Sequence, residues 1–95
     1  MSFYEKRCRY MFKTKAKNRN NICGENVFRI RKSKALKISQ RMLAEKLQLF
    51  GMDVDKNAVQ RIECGKRFVT DVELLILAEA LGVTVLELLE CPQKD

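Results

Sequence analysis

The chain has 95 residues, enough for one small domain but not for two. Its net charge is +7 and unevenly spread: residues 1–41 hold 13 Lys and Arg against 2 Asp and Glu, whereas residues 68–95 hold 1 against 6. A basic N-terminal part and an acidic C-terminal part favour a polyanionic partner that binds one side of the protein, although a charged run can equally be a solvated face.

The composition argues against several classes of protein. There is no histidine and no CxxC pair, so we expect no metal site and no cofactor. No apolar run has the length of a signal peptide or a membrane span, so we expect a cytoplasmic protein with reduced thiols and no membrane partner. Cys64 and Cys91 are interpreted as small, partly buried apolar residues.

Three segments are predicted along the chain. Residues 1–22 alternate basic and aromatic side chains without sustained helical spacing, and form either a flexible basic tail or an arm that follows phosphates. Residues 23–91 form the folded domain, and residues 92–95 a short tail.

The folded segment reads as five short helices. The pattern turns helical near Gly24, with Val27 and Ile30 on one face, and breaks near residues 37–38. Ser39 is placed to cap a second helix, which Gly51 can end in a left-handed turn.

Capping signals also begin the remaining three helices. Asp55 can cap the third, and Thr70 and Thr84 each precede a glutamate by three residues, as in a capping box. Gly82 closes the fourth helix. The sequence therefore predicts an all-α domain of five helices behind a basic N-terminal arm.

The third helix has two distinct faces when residues 56–64 are projected at about 100° per residue. Ala58, Val59 and Ile62 fall together and should face the core. The opposite side carries Lys56, Asn57, Gln60, Arg61 and Cys64, with Glu63 at the flank. Amide side chains can bond adenine bidentately and Arg or Lys can bond guanine, so this face is a candidate reader of DNA bases; most surface helices have a polar face without such a role.

Several segments resemble the XRE, or lambda-repressor-like (Cro-type), helix-turn-helix family. The matching patterns are S-Q-x-x-L-A at residues 39–44, R-I-E-x-G-K-R at residues 61–67, and E-L-x-x-L-A-x-A-L-G-V-T at residues 73–84. The resemblance covers roughly residues 24–90 and leaves the arm unmatched. It implies a five-helix domain whose third helix lies in the DNA major groove.

The resemblance implies a role for individual residues. The residues expected to contact DNA bases are Lys56, Asn57, Gln60 and Arg61. Those expected to contact the DNA backbone are Gln40, Arg41, Lys66 and Arg67. The helix-turn-helix packing falls to Leu43, Ala44, Leu47, Val59, Ile62 and Glu63. Glu63 corresponds to a position that pairs with an arginine of the first helix, for which Arg31 is the candidate.

Two links are longer than the family's usual turns. The link between Leu47 and Asp55 is expected to extend the second helix by a turn and to pack Met52 and Val54. The stretch KALKI at residues 34–38 is also long, which bears on the geometry of the Arg31–Glu63 pair.

The expected function is a sequence-specific, double-stranded-DNA-binding transcriptional regulator, repressor-like and not an enzyme. Family members usually bind near-palindromic operators as dimers, and the fifth helix, with Val85, Leu86, Leu88 and Leu89, offers either a homodimer surface or simple core packing. No small-molecule effector is evident.

Rival interpretations stay open. The chain can instead be an antitoxin or adaptor-type interaction module that also binds DNA, or an RNA-binding protein, although the RNA major groove is too narrow for the polar face. Cys64 lies between Arg61 and Lys66, cations that can lower a thiol pKa, so a redox switch is a further hypothesis beside inert packing.

Overall fold

The computed structural model describes residues 19–90, and within them the chain forms five α-helices and no strand. The helices are α1 (Gly24–Arg31), α2 (Gln40–Leu49), α3 (Lys56–Glu63), α4 (Asp71–Leu81) and α5 (Val85–Leu89). The predicted all-α, five-helix architecture is confirmed. Residues 1–18, Cys91 and the tail 92–95, about which predictions were made, lie outside the described residues.

The predicted caps begin four of these helices. The side chains of Ser39 and Asp55 each accept a hydrogen bond from a backbone N–H in the first turn of α2 and α3. Thr70 and Thr84 form complete capping boxes with the glutamate three residues later. Each cap stabilises its helix by about 1 kcal/mol, because it satisfies an N–H that would otherwise lack a partner.

The link between α2 and α3 is ordered by its own contacts. The helix continues only to Leu49, about half a turn beyond Leu47 rather than a full turn, before Gly51 adopts a φ of 92°. Met52 and Val54 are buried as predicted, and the Gln48 side chain donates to the Val54 carbonyl (2.7 Å). The long link is therefore part of the core and places the start of α3 firmly.

The core contains apolar side chains from all five helices, the largest of which are Val27, Leu43, Leu47, Val59, Ile62, Leu77 and Leu88. In α5, Leu88 is fully buried, whereas Leu86 is 73% exposed. Of the two interpretations of this helix, core packing is therefore confirmed for Leu88, and a dimer surface that includes Leu88 is excluded. Among the described residues, no helix is long and apolar enough to cross a membrane.

The two described cysteines differ in environment. Cys23 is buried, and its burial raises the pKa of the thiol to about 11, which keeps it protonated and unreactive. Cys64 is exposed at the end of α3, so the interpretation of this residue as partly buried is wrong. Cys64 follows Gln60 and Arg61 at helical spacing and therefore lies on the outer face of α3, as the projection of residues 56–64 predicts.

Candidate nucleic-acid interface

The outer face of α3 presents four polar side chains to solvent. Lys56, Asn57, Gln60 and Arg61 are all exposed, whereas Ala58, Val59 and Ile62 are buried against the rest of the domain. The helical projection of the sequence is thus confirmed for these seven positions. All four exposed side chains carry N–H donors, and the two amides carry acceptors as well, which is what hydrogen bonding to base edges requires.

The inner face of α3 is seated mainly on α2. Leu43 and Leu47 of α2 are fully buried, and Ala44 is nearly so, in the same apolar core as Val59 and Ile62. A small residue such as Ala44 permits a close approach between the two helices. The polar face of α3 is therefore carried by a helix that is held from behind by the core.

A buried polar cluster fixes the C-terminal half of α3. The Arg31 guanidinium donates two hydrogen bonds to the Glu63 carboxylate, at 2.7 and 3.0 Å, and a third to the Ile38 carbonyl at 3.0 Å. The Gln40 amide donates to the same carboxylate at 2.9 Å. The long KALKI stretch does not prevent the Arg31–Glu63 pair, because the chain folds back at Lys37, which has a φ of 50°.

The candidate backbone-contacting residues fall into two groups. Lys66 and Arg41 are exposed, and Arg41 makes only a loose 3.7 Å ion pair with Glu45. Gln40 uses one amide N–H to hold Glu63, which leaves the second N–H for another acceptor. Arg67 is the most restrained member, because its guanidinium is bonded to Glu73.

The Arg67–Glu73 pair joins the segment after α3 to the start of α4. Two guanidinium nitrogens of Arg67 donate to the two carboxylate oxygens of Glu73, at 3.1 and 3.3 Å. The hydrogen bond from Arg67 lowers the pKa of Glu73 below its ordinary value of 4.5, and the capping contacts with Thr70 act in the same direction. Glu73 therefore serves both as half of a capping box and as the partner of Arg67.

We expect Glu73→Gln to flatten the acid limb of the pH–stability curve. A carboxylate with a depressed folded-state pKa stabilises the fold above the unfolded value, near 4.5, and this contribution is lost as pH falls through the folded pKa. The measurement is the free energy of unfolding from urea titrations between neutral pH and pH about 3. The matched control is Glu87→Gln, since Glu87 holds the same capping-box position on α5 but, in the region described, bonds Thr84 rather than an arginine. An equal change of slope in both variants would contradict the role of Arg67.

Sequence reasoning passed over the lysines of the turn between α1 and α2. Lys34 and Lys37 are exposed in the turn that leads into the N-terminus of α2, close in sequence to Gln40 and Arg41. The signal is the run KSKALK at residues 32–37, whose lysines enter the sequence analysis only through the charge balance and the length of the link. These lysines extend the positive surface beside α2.

The order of the helices and the packing of α3 on α2 define a helix-turn-helix domain. In such a domain the second helix of the pair packs on the core with its inner face and exposes a polar outer face. In agreement with this fold, a helix-turn-helix family model matches residues 28–88. The chain therefore belongs to the XRE, or lambda-repressor-like, helix-turn-helix family, whose members are DNA-binding transcription regulators. Comparisons with curated proteins and with solved structures returned no significant match.

Proposed function

We propose that this protein is a sequence-specific regulator of transcription that reads double-stranded DNA with α3 in the major groove, and that it acts as a repressor by occupying its site. The observation that carries this proposal is the outer face of α3, where Lys56, Asn57, Gln60 and Arg61 are all exposed on a helix whose inner face is buried. A B-DNA major groove admits one α-helix and presents a distinct donor and acceptor pattern for each base pair.

The four exposed side chains divide by the bases that they suit. Asn57 and Gln60 can each pair bidentately with the N6 and N7 positions of adenine. Lys56 and Arg61 can donate to O6 and N7 of guanine. Because α3 has only eight residues, its base contacts would cover a short half-site of mixed composition.

Contacts with phosphates would supply most of the affinity. Lys66 and Arg41 are the best placed of the proposed backbone-contacting residues, because both are exposed. Gln40 has one amide N–H left for a phosphate, and Arg67 would have to share its guanidinium with Glu73. The exposed lysines of residues 32–37 would add further contacts at the N-terminus of α2.

Selection of bound duplexes from a random pool tests the function directly. We expect enrichment of a short motif, repeated as a near-palindrome with half-site centres roughly 34 Å apart. Competition between the selected duplex and RNA of the same sequence should favour the duplex strongly. If no motif is enriched, or if RNA competes equally well, the proposal fails. A second protein that co-purifies in fixed ratio would favour the antitoxin or adaptor interpretation instead.

Removal of residues 1–18 is expected to weaken binding to every duplex and to flatten its salt dependence. This segment contains six Lys and Arg and one Glu, and each phosphate that a cation neutralises contributes about 0.9 to the slope of log K against log salt. Titrations at several salt concentrations with the selected duplex and a scrambled one give both slopes. The truncation stops at residue 18 because residues 19–21 are bonded to the domain. An unchanged slope would exclude the arm from phosphate binding.

We also propose that the protein binds its operator as a homodimer. Val72 and Leu75 lie exposed on one face of α4, and Leu86 is exposed on α5, although α4 is otherwise a core helix. Apolar side chains grouped on a surface helix in this way mark interaction surfaces more often than isolated ones do. A second copy of the chain would cover them and bring two copies of α3 onto one face of the duplex.

Leu75→Glu and Leu86→Glu are expected to convert the dimer to a monomer and to weaken binding to the full operator more than to a single half-site. A glutamate introduced at either position would bury its carboxylate in the dimer interface, which costs free energy, whereas in the monomer the same carboxylate stays in water. Sedimentation velocity and binding to both duplexes provide the measurements. The matched control is Leu49→Glu on α2, because Leu49 is the most exposed leucine at 87%. Dimers that persist in both variants, or are lost equally in the control, would contradict this surface.

A further inference from the structure

Residues 19–21, here called the N-terminal strap, lie across the C-terminal end of α3. Five backbone carbonyls between residues 62 and 67 accept hydrogen bonds from the strap. The bonds are Arg19 Nη2 to Glu63 O (3.1 Å), Asn20 N to Gly65 O (2.6 Å), Asn20 Nδ2 to Lys66 O (3.2 Å), and Asn21 Nδ2 to Ile62 O (3.0 Å) and Arg67 O (2.8 Å).

The last carbonyls of a helix have no partner within the helix and are usually satisfied by a local turn or by water. In this chain a local turn bonds the Ile62 carbonyl to the Gly65 N–H (3.0 Å), and donors more than forty residues earlier in the sequence bond the carbonyls of Ile62 and Glu63 as well. Gly65 has a φ of 83°, and a Cβ at this position would lie 2.7 Å from the Arg19 guanidinium carbon. The segment after α3 is thus shaped to receive the strap.

Asn21 is the residue that joins two helix ends. Its Oδ1 accepts from the Gly24 N–H (2.8 Å), the first N–H of α1, while its Nδ2 donates to α3 and to the segment that follows. Gly24 itself has no room for a Cβ, because the added atom would collide with the Ile62 carbonyl. The start of α1 and the end of α3 are therefore in direct contact, with the Asn21 amide bridging them.

We propose that Asn21 is a positioning residue for DNA reading, which sets the tilt of α3 through the Ile62 and Arg67 carbonyls. This inference rests on the proposed function of α3. Hydrogen bonds to base edges weaken steeply with misalignment, so a helix whose C-terminal end is free to shift would keep phosphate attraction and lose base discrimination. The apolar core holds the inner face of α3, and the Arg31–Glu63 pair holds the side chain of its last residue; the strap adds a restraint on the backbone carbonyls at this same end.

Asn21→Asp tests the proposal, because the carboxylate still accepts from the Gly24 N–H but has no N–H to give to α3. The readout is the ratio of affinities for the selected duplex and a scrambled duplex at one salt concentration. We expect this ratio to fall about tenfold, as for the loss of one base contact. The new charge affects both duplexes alike and cancels in the ratio. Asn21→Ser is neutral and keeps an acceptor, but it has a single donor on a shorter side chain and cannot bond both carbonyls, so the ratio should fall in this variant as well.

The matched control is Asn26→Asp. The Asn26 amide also donates to two carbonyls, those of Leu88 and Glu90, both at 2.7 Å, but it joins α1 to α5 rather than to α3. We expect this variant to lose stability and to keep its affinity ratio. Because Asn26 is fully buried, Thr84→Ala, which removes the cap of α5, replaces it if the variant does not fold.

The outcomes separate the two proposals. If the wild-type chain prefers no sequence, the proposed function fails, and the strap is not at issue. If the wild type is selective and Asn21→Asp keeps the same ratio, or if the control loses the ratio equally, the positioning role is overturned. Hydrogen exchange provides a second readout, since the amides of residues 64–67 should exchange faster in the Asn21 variants and not in the control.

Discussion

Replacement of Glu63 by alanine is expected to lower the free energy of unfolding by about 3–5 kcal/mol, a large part of the roughly 5–15 kcal/mol typical of a domain. The side chains of Arg31 and Glu63 are only 8% and 5% exposed, so the variant leaves a guanidinium in the interior without its carboxylate. The Gln40 amide loses its acceptor at the same time. Urea denaturation followed by circular dichroism measures the change.

Two further variants test whether the burial of the Arg31–Glu63 pair causes this loss of stability. Glu45→Ala removes the exposed Arg41–Glu45 pair and should cost less than about 0.5 kcal/mol, because solvent screens such pairs. The double variant Arg31→Met with Glu63→Leu replaces the buried pair by apolar side chains, and should recover much of the loss. A Glu63→Ala variant no less stable than Glu45→Ala would show that the buried pair does not hold α3.

Replacement of Arg61 by alanine is expected to weaken binding to the selected duplex by roughly ten- to a hundredfold, the value of one bidentate contact with guanine. Binding to a scrambled duplex should change much less, since only general charge attraction is lost there. Stability should be unaffected because Arg61 is exposed. Fluorescence anisotropy with both duplexes at one salt concentration separates the two effects.

Lys66→Ala is the matched control, since Lys66 is also an exposed cation and lies just past the end of α3. Because Lys66 is proposed to contact a phosphate, its removal should weaken binding to both duplexes equally and reduce the slope of log K against log salt by about 1. If Arg61→Ala also weakens binding to both duplexes equally, Arg61 contacts the DNA backbone and does not read a base.

The helices and their ends could be predicted from the sequence because their causes are local. Ser39, Asp55, Thr70 and Thr84 each bond a backbone N–H a few residues away, so the signal and its partner lie within one helical turn. The two faces of α3 follow in the same way from the spacing of Val59 and Ile62. Membership of the helix-turn-helix family could be inferred from three short patterns in the right order.

Other features could not be predicted because they depend on residues far apart in the chain. Helical spacing leaves Leu88 open between core packing and a dimer surface, and only the packing of α5 in the domain decides for the core. The strap was missed for a similar reason, since a polar run such as residues 17–21 gives no sign that its amides bond carbonyls more than forty residues later.

The sequence by itself determined the helices, the polar face of α3 and the class of protein, because capping and helical spacing act over a few residues. Only the tertiary structure decided how that face is held. The Arg31–Glu63 pair spans 32 positions and the Asn21 bond to Ile62 spans 41, and both form only when the helices have packed. Which side chains α3 offers to DNA is therefore a local property of the chain, whereas the angle at which it offers them is a property of the whole domain.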